Sequence, residues 1–192
     1  MKTGLFFGSF NPIHTGHLII ANHMIEYGGV KRVWFVVSPQ NPLKPKQTLL
    51  NQYDRLHLVR LAVEDDPRFQ VSDIEFQLPV PSYTIDTLVY LKEKYPEKEF
   101  SLIMGSDNLE SLEKWKNYEV LLRDYEILVY KRNETVSEKW NQYPNIKILD
   151  VPLLKISATE IRKMLSEKKS VRYLLPEKVW EYLKGSSYYK NN

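Results

Sequence analysis

Residues 32–38, RVWFVVS, restrict the fold of this chain more than any other segment. Between Arg32 and Ser38 every position is apolar and either β-branched or aromatic. A strand without a polar face must be covered on both sides, which is the situation inside a parallel sheet flanked by helices. The remaining sequence continues that pattern. TGLFFG (3–8), FQVSDIEF (69–76), EFSLIMG (99–105), EILVYKR (126–132) and NIKILDV (145–151) read as further strands. Helix-period segments separate them. Residues 16–27 place Leu18, Ile19, Ala21, Met24 and Ile25 before a Gly28-Gly29 stop. Residues 51–64 carry Leu56, Val59 and Val63 along one stripe, with Asn51 as a cap. Thr84 opens a helix that stops at Pro96, Ser157 one that runs to about Lys168, and Pro176 one that runs to about Lys184. The expected fold is α/β, a Rossmann-like open parallel sheet with helices on both faces and a small C-terminal helical portion. Residues 1–192 read as a single domain, with GSSYYKNN at its end as a frayed tail.

Composition narrows the function classes. The chain has 192 residues, enough to bury a core without staples. It has no cysteine, which excludes disulfides, thiolate metal sites and a cysteine nucleophile and points to a reducing cytoplasm. The opening MKTGLFFGSF has one lysine and too short an apolar run for a signal peptide, and no stretch approaches a membrane span. The net charge of +3 is small and dispersed, so it does not argue for a nucleic-acid partner. It is compatible with a local site for an anionic small molecule.

In open parallel sheets, ligands bind beyond the carboxyl ends of the strands. The loops to inspect are therefore 8–17, 38–48, 76–84, 105–118 and 131–134. The first belongs to GSFNPIHTGHL (8–18), which holds two of the four histidines. Gly8 permits a sharp turn and close approach by a ligand. Ser9, Phe10 and Asn11 supply backbone N–H groups, and the helix behind them aims its positive end at the same space. His14 and His17, three residues apart, would share a helical face. Taken alone, such a pair is more often surface decoration or a capping pair than chemistry, and half a metal site is a further reading. No acidic or histidine partner lies at ligand spacing, so no protein-held metal is expected. A second stretch, ISATEIR (156–162), has capping-box spacing from Ser157 to Glu160 and an arginine, Arg162, one turn on that can fork two phosphate oxygens. By itself it reads as an ordinary capped amphipathic helix with a solvent-facing arginine.

Together these stretches carry a resemblance. G-S-F-x-P-I-H-x-G-H resembles the signature of the nucleotidyltransferase superfamily, related to the H-I-G-H element of class I aminoacyl-tRNA synthetases. I-S-x-T-x-I-R resembles that superfamily's C-terminal triphosphate element. The resemblance implies that Gly8, Ser9, Phe10, His14 and His17 close on one triphosphate opposite Ile156, Ser157 and Arg162. His14, His17 and Arg162 would then be the catalytic residues, stabilising charge on the leaving pyrophosphate. SYTIDTL (82–88), MGSDNLESLEKW (104–115) and VYKR (129–132) resemble the nicotinate-nucleotide adenylyltransferase family, which makes deamido-NAD from nicotinate mononucleotide and ATP. That family implies a nicotinate carboxylate held by Ser82, Tyr83 and Thr84, a pyridine ring stacked on Trp115, and Tyr118 nearby. It also implies Gly105 and Asp107 on the ribose and adenine side of ATP, Lys44 at the mononucleotide phosphate, Arg132 at an ATP phosphate, and Mg²⁺ on the triphosphate. The pattern departs at Leu43, where the family usually has histidine.

The phosphate of the acceptor is already an anion near neutral pH, so direct attack on the α-phosphorus needs no general base. Three alternatives remain: transfer to nicotinamide mononucleotide, transfer to phosphopantetheine, or a regulator that binds nucleotide without turnover. Oligomeric state is not legible, and a homo-oligomer is compatible with the sequence.

Overall fold

The alternation of side chains along each strand builds a separate core on either face of one sheet. The computed structural model describes residues 1–39, 49–131, 136–152 and 154–190. Its strands are β1 (Lys2–Gly8), β2 (Arg32–Val37), β3 (Phe69–Ser72), β4 (Glu99–Gly105), β5 (Glu126–Tyr130) and β6 (Ile146–Leu149). They lie in the order β3-β2-β1-β4-β5-β6, and every neighbouring pair is parallel. The helices are α1 (Thr15–Tyr27), α2 (Gln52–Val63), α3 (Thr84–Lys94), α4 (Ser106–Glu110), α5 (Tyr118–Asp124), α6 (Ala158–Ser166) and α7 (Glu177–Gly185).

Phe6, Phe35, Ile103 and Leu128 point to the face covered by α1, α2, α6 and α7. Their strand neighbours Leu5, Trp34, Val36, Leu102, Met104 and Val129 point to the face covered by α3, α4 and α5. Each fully buried side chain of this size contributes about 1.5–3 kcal/mol relative to exposure. The central strands, apolar on both faces, therefore anchor the loops at their ends. The chain builds outward from β1 to β3, then restarts at β4 on the other side of β1. That reversal opens a crevice above the carboxyl ends of β1 and β4, where Gly8 and Gly105 end their strands.

Local chemistry sets the helix starts. Asn51 caps α2 by accepting from the Tyr53 N–H at 2.9 Å, and Ser157 caps α6 by accepting from the Glu160 N–H at 3.1 Å. Three expectations need correction. The strand expected over 69–76 ends at Ser72, whose hydroxyl accepts the Ile74 N–H at 3.3 Å and turns the chain into a 3-10 turn, Ile74–Gln77. The strands expected over 126–132 and 145–151 shorten to β5 and β6. The tail is not frayed through Lys190, because Tyr188 and Tyr189 pack against the first core. Two aromatic rings bury enough area to order that segment. Lys44 and Arg132 lie outside the described residues.

Candidate active site

The loop from β1 to α1 is shaped by ring packing. Phe10 has φ of +44°, in the left-handed region, and its ring is buried against Phe6, Phe35 and His17. A Cβ at Gly8 would lie 2.8 Å from that ring, so it is the close approach of Phe10, and not a left-handed turn, that calls for glycine at the end of β1. His14 is the N-cap residue of α1, in extended conformation, and His17 is three residues on. The two imidazoles stack, with centroids 3.7 Å apart and planes 22° from parallel. His17 Nδ1 accepts the His14 backbone N–H at 3.1 Å, which leaves the proton of a neutral His17 ring on Nε2. Gly16 explains the glycine between the histidines. A Cβ there would meet the His14 ring at 3.1 Å and Ile156 at 4.0 Å.

The C-terminal motif reaches this loop directly. Arg162 donates from Nη1 to the Asn11 carbonyl at 2.8 Å and from Nη2 to Thr159 Oγ1 at 3.3 Å. Segments 8–17 and 156–162 therefore share one space, although one long-range hydrogen bond spans 151 positions of sequence. Arg55, 1 % exposed, braces the loop from below. It donates to the carbonyls of Leu50 (2.9 Å), Ser38 (2.8 Å), Pro39 (2.9 Å) and Ser9. Burial pulls its pKa below the ordinary arginine value, and the Tyr189 phenol offsets that only in part. At the end of β4, a Cβ on Gly105 would collide with the Asp107 carboxylate and crowd the Tyr130 ring, so Asp107 folds back over the strand end.

Beside this loop lies a cleft of about 280 Å³. Gly8 and Ser9 of the loop line it, together with Ser82, Tyr83, Thr84 and Trp115. Among the described residues no side chain caps the amino end of α3, where Tyr83 is the N-cap residue. The Trp115 Nε1–H is buried without a hydrogen-bond partner among the described residues. Glu75 lines the cleft and is 3 % exposed. Thr87 Oγ1 donates to it at 2.9 Å, and the Ser38 and Ser82 hydroxyls also hold it. Burial pushes this carboxyl above its ordinary 4.5, and the hydroxyls only partly offset that rise. At the mouth, Lys116 pairs with Asp86 at 2.8 Å and stands 5.0 Å from the Tyr83 ring centroid.

The structure thus brings Gly8, Ser9, Phe10, His14, His17, Ile156, Ser157 and Arg162 together, and gathers Ser82, Tyr83, Thr84 and Trp115 around the adjacent cleft. Tyr118 opens α5 at the margin of the second core and is not among the cleft-lining residues. Sequence reasoning missed Glu75, Arg55 and Lys116. Arg55 had a signal: it stands four and eight residues before Val59 and Val63, on the buried stripe of α2. A charged residue on such a stripe needs partners.

Residues 5–164 match the cytidylyltransferase-like family. The chain is 54% identical over 192 residues to a protein named probable nicotinate-nucleotide adenylyltransferase from Flavobacterium psychrophilum, covering 99% of this chain and 100% of the relative. It is 47% identical to one of the same name from Bacteroides thetaiotaomicron, over 96% of this chain and 91% of that one. Among solved structures it is similar to Plasmodium falciparum nicotinic acid mononucleotide adenylyltransferase complexed with NaAD. The TM-score is 0.82 at 19% identity, over 98% of this chain and 97% of the other, which is a likeness of fold. No helix among the described residues is long and apolar enough to cross a membrane.

Proposed function

This chain belongs to the nicotinate-nucleotide adenylyltransferase family, and we propose that its loop and cleft divide that family's reaction between them. The enzyme transfers the adenylyl group of ATP to nicotinate mononucleotide, giving deamido-NAD and pyrophosphate. One observation carries the division of labour: Gly8 and Ser9 begin the loop that holds the histidines and also form a rim of the cleft. Two substrates bound on either side of that rim meet there.

On the cleft side, the uncapped amino end of α3 faces the nicotinate carboxylate, and Trp115 offers a flat face to the pyridine ring. A helix terminus favours an anion by about 0.3–2 kcal/mol. Asp86 would oppose this from the first turn of α3, and Lys116 neutralises it. Ser82, Tyr83 and Thr84 complete the carboxylate site, and Tyr118, outside the cleft lining, would act only from its margin. On the loop side, the first turn of α1, His14, His17 and Arg162 surround the triphosphate. Gly105 and Asp107 take the ribose and adenine side, while Lys44 and Arg132 add charge at the acceptor and ATP phosphates.

A phosphate oxygen of nicotinate mononucleotide attacks the α-phosphorus of ATP in line. The bond to the bridging oxygen breaks, and pyrophosphate leaves with the electron pair. The nucleophile is an anion, so no proton has to move first. The protein positions the two reactants and stabilises charge on the leaving group. Among the described residues no three His, Asp or Glu side chains gather as a metal cage. ATP would enter as its Mg²⁺ complex, the ion supplying charge neutralisation on the triphosphate. We take residues 1–192 as one domain, a reading supported by the two cores of the described residues drawing on the same strands. The absence of cysteine fits a cytoplasmic enzyme.

The test is pyrophosphate release from ATP and Mg²⁺ with nicotinate mononucleotide, nicotinamide mononucleotide or phosphopantetheine. Release with the nicotinate acceptor far above the others is the expected result. Preference for another acceptor would overturn the assignment of the cleft. ATP binding without release in any arm would leave a nucleotide-binding regulator.

A further inference from the structure

The C-terminal segment runs back from α7 toward the opposite end of the sequence. Tyr189 donates its hydroxyl to Asn11 Oδ1 at 2.7 Å, bridging 178 positions. Asn11 is 4 % exposed and sits within GSFNPIH. Its Oδ1 also accepts the Leu50 N–H at 3.2 Å, and its main-chain carbonyl is the acceptor for Arg162. The Leu50 carbonyl accepts from Arg55, which also holds Ser9, Ser38 and Pro39. The Tyr189 hydroxyl is thus joined through Asn11 to both arginines that grip the loop. Burial pushes this phenol well above its ordinary value, so it stays a donor.

The segment is built to hold that hydroxyl in place. Tyr189 adopts a φ of +61°, a left-handed conformation that a bulky residue keeps only when its surroundings enforce it. Tyr188 lies against Tyr182 with ring centroids 6.2 Å apart, and Tyr182 in turn meets His57 of α2 at 4.8 Å. Lys190 Nζ closes the end by donating to the Lys184 and Ser186 carbonyls.

We propose that Tyr189 is a positioning residue for adenylyl transfer, its hydroxyl fixing the Asn11 amide and so the carbonyl against which Arg162 is aligned. The Asn11 side chain accepts from two directions, which prevents the amide from rotating. Its carbonyl then presents a fixed acceptor, and Arg162 docks on it with its remaining N–H groups directed by that contact. The proposal rests on the assignment of the triphosphate to residues 8–17 and 156–162.

Tyr189→Phe in the full-length chain is the test, because it removes the hydroxyl and keeps the ring. The apparent KM for ATP should rise, or kcat fall, by about 5- to 10-fold, the range for a lost hydrogen bond that displaces a catalytic group. The KM for nicotinate mononucleotide should stay within about twofold. A merely structural role would lower the melting temperature or the active fraction and leave both KM values alone. Arg162→Lys is the companion variant, and the double variant should be no worse than Arg162→Lys, since both changes disturb the same contact. Additive losses, or wild-type kinetics in Tyr189→Phe beside a damaged Arg162→Lys, would overturn the positioning role of Tyr189 alone. Wild-type kinetics in Arg162→Lys would overturn the assignment of the triphosphate instead.

Discussion

The histidine loop and the neighbouring cleft are built by different means, although they share a rim. The loop is pinned from several remote elements through its backbone. Arg55 in α2 and Arg162 in α6 hold the carbonyls of Ser9 and Asn11, and Tyr189 holds the Asn11 amide. Phe10 buries its ring beneath the turn. The cleft is fastened through side chains at one corner of the sheet. Glu75 gathers hydroxyls from Ser38, Ser82 and Thr87, and an exposed Lys116–Asp86 pair closes the mouth. A rigid backbone cradle suits a group whose charge changes during reaction, because donors fixed in advance need not reorganise. A wall of adjustable side chains suits recognition of an aromatic acid. The contrast predicts that changes in the loop act on turnover and changes in the cleft act on acceptor binding.

His17→Ala should break that contrast most visibly. Loss of a donor to the leaving group lowers kcat by about 100- to 1000-fold, with the acceptor KM within about twofold. Steady-state pyrophosphate release measures both. Trp115→Ala is the counterpart on the cleft side. Removing a stacked aromatic face should raise the KM for nicotinate mononucleotide about tenfold and leave kcat at saturation within about threefold. If both variants moved the same constant, the division between loop and cleft would fail.

Glu75→Gln sharpens the comparison through pH. The folded protein holds the Glu75 proton more tightly than the unfolded chain, because burial raises this carboxyl above 4.5. As pH rises from about 4.5 toward the folded value, the unfolded chain has already lost the proton that the native state retains, so stability falls across that window. Glu75→Gln should flatten that fall in urea unfolding measured at several pH values, and should raise the acceptor KM by about three- to fivefold as one of the two acceptor oxygens shared by Ser38, Ser82 and Thr87 is replaced by an amide NH2. An unchanged pH dependence would remove Glu75 from this role. The smallest effect belongs to Lys116→Ala. An exposed pair contributes about 0.2–1 kcal/mol, so the acceptor KM should rise about twofold at low salt and converge with wild type at high salt.

The same difference in construction explains what could be read from the sequence. The strands followed from apolar runs such as RVWFVVS and EFSLIMG, which have one physical solution. The loop was legible because its constraints are contiguous: Gly8, His14, Gly16 and His17 each answer a close neighbour. The wall at 82–84 and Trp115 were legible through resemblance rather than through periodicity. Glu75 was hidden because FQVSDIEF scores as an unbroken strand, while the Ser72 hydroxyl turns the chain and carries the carboxylate inward. Tyr189 was hidden because polar and aromatic residues after Gly185 look like a solvated end. Its partner lies near the other terminus, a separation that no local pattern encodes.

A crystal structure with deamido-NAD bound would test the division of labour most directly. The account predicts the nicotinate ring against Trp115, with its carboxylate at the amino end of α3 by Ser82 and Thr84. The adenylyl phosphate should lie beside His14, His17 and Arg162. The opposite orientation, with adenine in the cleft and the nicotinate beyond Gly105 and Asp107, would contradict it.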